Sequence, residues 1–331
     1  MNVSDKKSLM PPLMKVLPYL VLIAVSAAIP QLTSSTFWLF VFIEVFVRCI
    51  AAVGLRTIAL SGNISFAQAA FFGVGAYTSA ILATELGLPP YLTIPIATVV
   101  VTVLGVGTGY PFVRLRSIYY AMATMFLGSA IVYVISALTI TGGSMGMRNI
   151  PRLFESGSMT ANYYFFLILA IISCAVMYRF EFSRIGTTLR ALAQSPEAAA
   201  AMGVNEVYFR LLAVGFGCFF AGLAGASFSL YNTSLSPTSY GMGIGLWYIM
   251  YVMIGGKDSF IGPIIGTILL VIIPELSRGL NQYAPYMTAG AMLIVAYFLP
   301  GGLASIPGVI RRAAGKSRQD KSEAAEAKGG V

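Results

Sequence analysis

The chain has 331 residues, of which 57% are apolar and 10% charged, with a formal net charge of +9. Soluble domains carry about 25% charged residues. This composition, with apolar runs of 18 residues and more, therefore excludes a water-soluble enzyme and reads as a membrane protein. No histidine is present, which removes Ser-His and Cys-His triads, His-ligated metals and the commonest proton relay.

A helix crossing ~30 Å of hydrocarbon at about 1.5 Å per residue needs roughly 20 residues. Ten segments answer to that: 16–33, 37–58, 66–86, 91–111, 117–139, 161–179, 208–231, 241–256, 260–277 and 284–300. The expected fold is an all-α polytopic bundle of about ten transmembrane helices. The segments 66–86, 241–256 and 260–277 are interrupted by glycine and can be re-entrant or broken, so the range is eight to ten. The first run is entered through Pro11, Pro12 and Pro18, without a conspicuous cleavage site for a signal peptide. Cys49, Cys174 and Cys218 lie in separate apolar runs and read as core residues rather than a disulfide framework.

Lys and Arg orient the bundle. With ten spans and a cytoplasmic N-terminus, 17 of the 21 fall on the cytoplasmic side, against Arg148, Arg152 and Arg278 outside and Arg48 within a span. Both termini are thus expected in the cytoplasm. Residues 1–310 form the permease domain, and the polar, basic tail 311–331 reads as disordered.

Within the spans, two groups of residues stand out. Glu44 and Arg48 sit four apart on one helix face. Charge inside a membrane is paired or functional, so they form either a neutralising pair facing the bundle or a polar point on a translocation path. Residues 61–82 combine Ser61, Gly62, Asn63, Ser65, Gln68, Gly73, Gly75 and Tyr77. A glycine-broken polar stretch at membrane depth must bury its backbone in protein or line water. Gly73 and Gly75 read as helix-packing positions. Asn63, Ser65 and Gln68 are candidates to line the path.

The loop 180–209 is long for this chain and has local order of its own. Ser195 suits an N-cap, Pro196 the first helical position, Glu197 the positive helix end and Gly203 the C-terminal stop, giving a short helix at 196–202. A preceding piece, 187–194, carries Arg190. Such a helix is either a surface connector or a docking helix for a motor subunit. Farther along, Ala221-Gly222-x-Ala224-Gly225 reads as a helix-contact surface. Gly142-Gly143-Ser144-x-Gly146 is either a plain outer loop or a docking surface. Gly255-Gly256-Lys257-Asp258-Ser259 is a tight turn and not a phosphate-binding loop, so no ATP site lies in this chain.

The run RIGTTLRALAQSPEAAAAMGVNEVYF with the following AGLAG resembles the coupling region of permease subunits from ABC importers of the branched-chain amino acid family, M-type (LivM-like). Gly186, Arg190, Ala191, Glu197, Ala198, Ala199 and Gly203 occupy the family's positions, and SGNISFAQAAFFGVGAY, TGGSMGM, GGKDSFIGPIIG and YFLPGG agree in order. Gln194-Ser195-Pro196 departs from the charged or Asn residues usual there. The resemblance implies a type II importer permease architecture in the bacterial inner membrane, no cofactor and no catalysis. It also implies two ABC ATPases, a second permease in a heterodimer and an extracytoplasmic binding protein, within membrane lipid and without nucleic acid. It makes Gly186, Arg190, Ala191, Gln194, Ser195, Pro196, Glu197, Ala200, Met202 and Gly203 the ATPase-coupling set. The implied substrate is a branched-chain or other small amino acid. Importers of urea, amides, aromatic acids or sugars are alternatives, and a stand-alone secondary transporter or channel is a rival of another class.

Overall fold

The computed structural model describes residues 22, 26–31, 35–115, 117–154, 159–256 and 259–277, with 286, 289, 290 and 293. The expectation for the tail 311–331 lies outside these residues, as do most of 284–300 and most of 16–33. The described helices are α1 Thr36–Ala59, α2 Gln68–Thr84, α3 Pro90–Phe112, α4 Ser117–Ala137, α5 Met159–Glu181, α6 Arg184–Gln194, α7 Pro196–Ala201, α8 Glu206–Asn232, α9 Met242–Gly255 and α10 Ile261–Leu276. Among the described residues the only β pairing is an isolated antiparallel bridge, Met147 with Leu235.

Five helices, α1, α3, α4, α5 and α8, are long and apolar enough to cross a membrane. The glycine-interrupted segments are shorter: α2 has 17 residues, α9 14 and α10 16. At about 1.5 Å per residue they reach roughly 21–26 Å, less than the hydrocarbon thickness. Each is flanked by backbone that leaves the helical path. Residues 63–67 precede α2, a 3-10 turn Pro237–Tyr240 precedes α9, and Gly256 at φ +107° ends it.

α1 and α8 form the centre and α2 packs into α8. Without a hydrophobic drive between helices in lipid, close backbone approach supplies the contact energy. A methyl group at Gly75 would lie 2.6 Å from the Gly222 carbonyl oxygen, and one at Gly225 would overlap the Phe72 carbonyl. The AGLAG surface is therefore spent inside this chain. The α9–α10 hairpin closes the same way, with Gly262 against the Gly255 and Gly256 carbonyls. All three cysteines are free, and Cys218 fills the space beside Gly105.

The turns gather at two ends. One end holds residues 60–62, 113–115 and 182–205 and carries Arg56, Arg114, Arg179, Arg184, Arg190 and Arg210, while 63–67 run inward from it along α4, with Phe66 N–H on Thr124 Oγ1 at 3.2 Å. The other holds 138–154 and 233–241, with Arg148 and Arg152. There the glycine loop is pinned by the bridge, through Met147 N–H to Leu235 O at 3.1 Å and Leu235 N–H to Met147 O at 2.8 Å.

Candidate functional site

At the basic end, α6 and α7 make a small hairpin that lies against the bundle. α6 turns Leu189 and Leu192 inward, and Leu189 joins Phe180 and Ala213 in a core cluster with Leu60, Ile185, Phe209 and Phe216 at its edge. Gly186 is buried, and a side chain there would overlap the Glu181 carbonyl. It brings α6 close to the end of α5 and lets the helix begin at Arg184, ahead of the expected 187. α7 is capped as its residues dictate. Ser195 Oγ accepts the Ala198 N–H at 3.3 Å, Pro196 takes the first turn, and Gly203 adopts φ +83° just past Met202.

The surface this hairpin offers is composed of small side chains. Gln194, Glu197, Ala198, Ala200 and Gly203 are exposed, and Met202 is 74% exposed at the tip. Ala191, Ser195 and Pro196 are half-buried, and Ala199 is buried against the bundle. Of the sequence-derived coupling set, Gly186 alone is buried.

Beneath this surface lies an ionic cluster that sequence reading missed. Glu181, the last residue of α5, is 3% exposed. Its Oε2 accepts from Nη1 of Arg56, and its Oε1 accepts from Nη2 of Arg190 at 2.6 Å. Arg56, on the last turn of α1, is 2% exposed. The two guanidinium groups each lie over an aromatic ring, Arg56 at 5.8 Å from the Phe260 centroid and Arg190 at 5.4 Å from that of Phe182. From sequence, Arg56 read as one more loop cation. The available signal was an acid, Glu181, at the edge of a span on the side richest in Lys and Arg. Arg210 has a similar local role: it pairs with Glu206 at 2.6 Å and donates to the Val113 carbonyl at 3.4 Å, tying α8 to the end of α3.

The candidate path residues fall in two places. Glu44 and Arg48 pair along α1, and Arg48 Nη1 donates to the Tyr251 hydroxyl of α9 at 2.8 Å. Both are only partly buried, with side chains 17% and 31% exposed. Asn63, Ser65 and Gln68 are all buried, so the non-helical backbone between α1 and α2 is enclosed by protein here. Gln68 Nε2 donates to the carbonyls of Ala51 at 2.9 Å and Gly217 at 3.3 Å, stitching α2 to both central helices. Ser61 Oγ donates to its own helix at the Ile58 carbonyl, 2.7 Å away.

Residues 37–298 match the family model described as "Branched-chain amino acid transport system / permease component". The chain is 29% identical over 283 residues to the high-affinity branched-chain amino acid transport system permease protein LivM of Salmonella typhimurium. That match covers 77% of this chain and 67% of the relative, and LivM of Escherichia coli gives the same figures. It is 26% identical over 281 residues to the galactose/methyl galactoside import permease protein MglC of Escherichia coli, covering 76% and 82%. No solved structure matches the chain.

Proposed function

The chain belongs to the branched-chain amino acid permease family, a membrane subunit of an ABC importer rather than an enzyme, and from that premise we propose its partners, substrate and working parts. It pairs with a second permease, two cytoplasmic ATPases drive the pair, one of them docked on α6–α7, and an extracytoplasmic binding protein delivers a branched-chain amino acid. The basic end faces the cytoplasm of a bacterial inner membrane.

The observation that carries this reading is the capped, exposed hairpin over an ordered ionic cluster. A short helix of small side chains with Met202 at its tip fits a groove on another protein, and its buried side is fixed to two spans. The mechanism is alternating access. ATP-driven closure of the ATPases displaces the hairpin, and the helices reorient because nucleotide binds the two states unequally. Glu44 and Arg48, partly exposed at the α1–α9 contact, border the path, and the buried Asn63, Ser65 and Gln68 hold the α1–α2 break beside it at membrane depth.

The test is a mild-detergent pull-down of this chain from its native membrane. A second polytopic chain with one or two soluble ATPases is expected. Recovery of the chain alone would overturn the reading in favour of a secondary transporter or channel. The likeness to MglC gives a second substrate reading, a hexose. Ligand screening of the co-purifying binding protein separates the two: leucine, isoleucine or valine is expected, and galactose would replace them.

A further inference from the structure

The docking hairpin has one covalent root in the preceding bundle, the corner at residues 182–183 that joins it to α5. Its other links to the spans are residues 202–205, which lead into α8, the apolar contacts of Ile185, Leu189 and Leu192, the approach of Ala193 to Gly62, and the Glu181 cluster. Apolar helix faces slide over one another by small shears at little cost. Drawing Arg190 away strips a charge-assisted hydrogen bond from a carboxylate that is 3% exposed, and drawing Arg56 away leaves a buried charge without its partner. We infer that Glu181 is a positioning residue for coupling: by holding Arg56 of α1 and Arg190 of α6 on its two oxygens, it makes the hairpin, α5 and the central helix α1 move as one body.

This inference rests on the reading of α6–α7 as the ATPase-docking element and goes one step further into the bundle. Three observations support it. The two cations come from different elements, 134 residues apart in the numbering (56 and 190), and meet on one carboxylate. Arg56 also lies over Phe260, and Phe260 packs edge-on against Tyr178 of α5 at 5.3 Å, so the start of α10 joins the same cluster. The turn after α1 touches the hairpin again beside the cluster, where a β-carbon on Gly62 would lie 3.4 Å from that of Ala193. Glu181 is buried, so a docked ATPase does not contact it directly. An effect of changing it on coupling passes through Arg56 and Arg190.

The experiment uses proteoliposomes holding the assembled complex and its binding protein, with radiolabelled leucine as probe and ATP hydrolysis measured in parallel. Glu181→Gln keeps an acceptor for Arg56, and Arg56→Gln leaves Arg190 and Glu181 as a balanced pair. Both are expected to retain ATPase subunits and hydrolysis while leucine moved per ATP falls at least tenfold. Arg56→Lys, which restores the charge, should recover more than half. A disulfide between Gly62→Cys and Ala193→Cys, within bonding reach by that Cβ distance, joins parts that already move together, and because Gly62 has φ +84° the reduced double variant is the reference. Oxidised and reduced forms should transport within twofold of each other.

Wild-type coupling in either Gln variant would overturn the inference. So would abolition of uptake by the disulfide, or loss of assembly in Glu181→Gln while Arg56→Gln transports normally, which would make the cluster merely structural. Failure of the unaltered chain to hold ATPases would instead overturn the docking reading and this inference with it.

Discussion

Gly107 and Gly225 are both glycines in apolar helices, yet the structure gives them opposite meanings. A β-carbon at Gly107 meets nothing within 4 Å. One at Gly225 overlaps the Phe72 carbonyl, a backbone atom that cannot rotate away. Gly107→Ala should therefore leave the melting temperature in detergent unchanged or raised, since alanine is favoured over glycine in a helix by about 0.5–1 kcal/mol. Gly225→Leu must push α2 off α8, where overpacking costs ~1–3 kcal/mol or more. A fall of several degrees, or loss of the folded protein, is expected by fluorescence-detected melting. Equal melting of the two variants would refute the α2–α8 contact. Nothing local in the sequence tells these glycines apart, because the difference lies in which backbone faces them across the bundle.

At the scale of elements, legibility followed the range of the forces. α7 was readable because its cap, first-turn proline and terminal glycine act within a few residues of one another, and it spans Pro196–Ala201 against an expected 196–202. The long apolar helices were readable from length and hydropathy, so α1, α3, α4, α5 and α8 fall within about two residues of expectation. The Glu181 cluster was not readable, since its partners lie 125 and 9 positions away. The Gly203 terminus yields a sharp test. Its φ of +83° is outside the range proline can adopt, whereas asparagine tolerates the left-handed region. Gly203→Pro should abolish ATP-coupled uptake with membrane insertion retained, and Gly203→Asn should keep at least half the uptake. Normal uptake by the proline variant would remove α7 from the coupling path.

For the whole molecule, the separation of charge is a statement about topology. One end of the described bundle gathers six arginines from four separate turns and helix ends, and the other holds two. Cytoplasmic loops carry the excess of Lys and Arg because translocating such charge is disfavoured, so the α6–α7 end should be inside and the Met147–Leu235 bridge outside. Single cysteines at Ala198 and Ser144, both exposed, report the two faces, and the native cysteines are buried or half-buried within helices. A membrane-impermeant maleimide applied to intact spheroplasts should label Ser144→Cys and spare Ala198→Cys until the membrane is permeabilised. The reverse pattern would put the docking hairpin on the wrong side to meet a cytoplasmic ATPase, and the importer mechanism could not run through α7. Labelling of both sites without permeabilisation would mean that the chain between them, 145–197, crosses the membrane an even number of times, which would break the single passage assigned to α5.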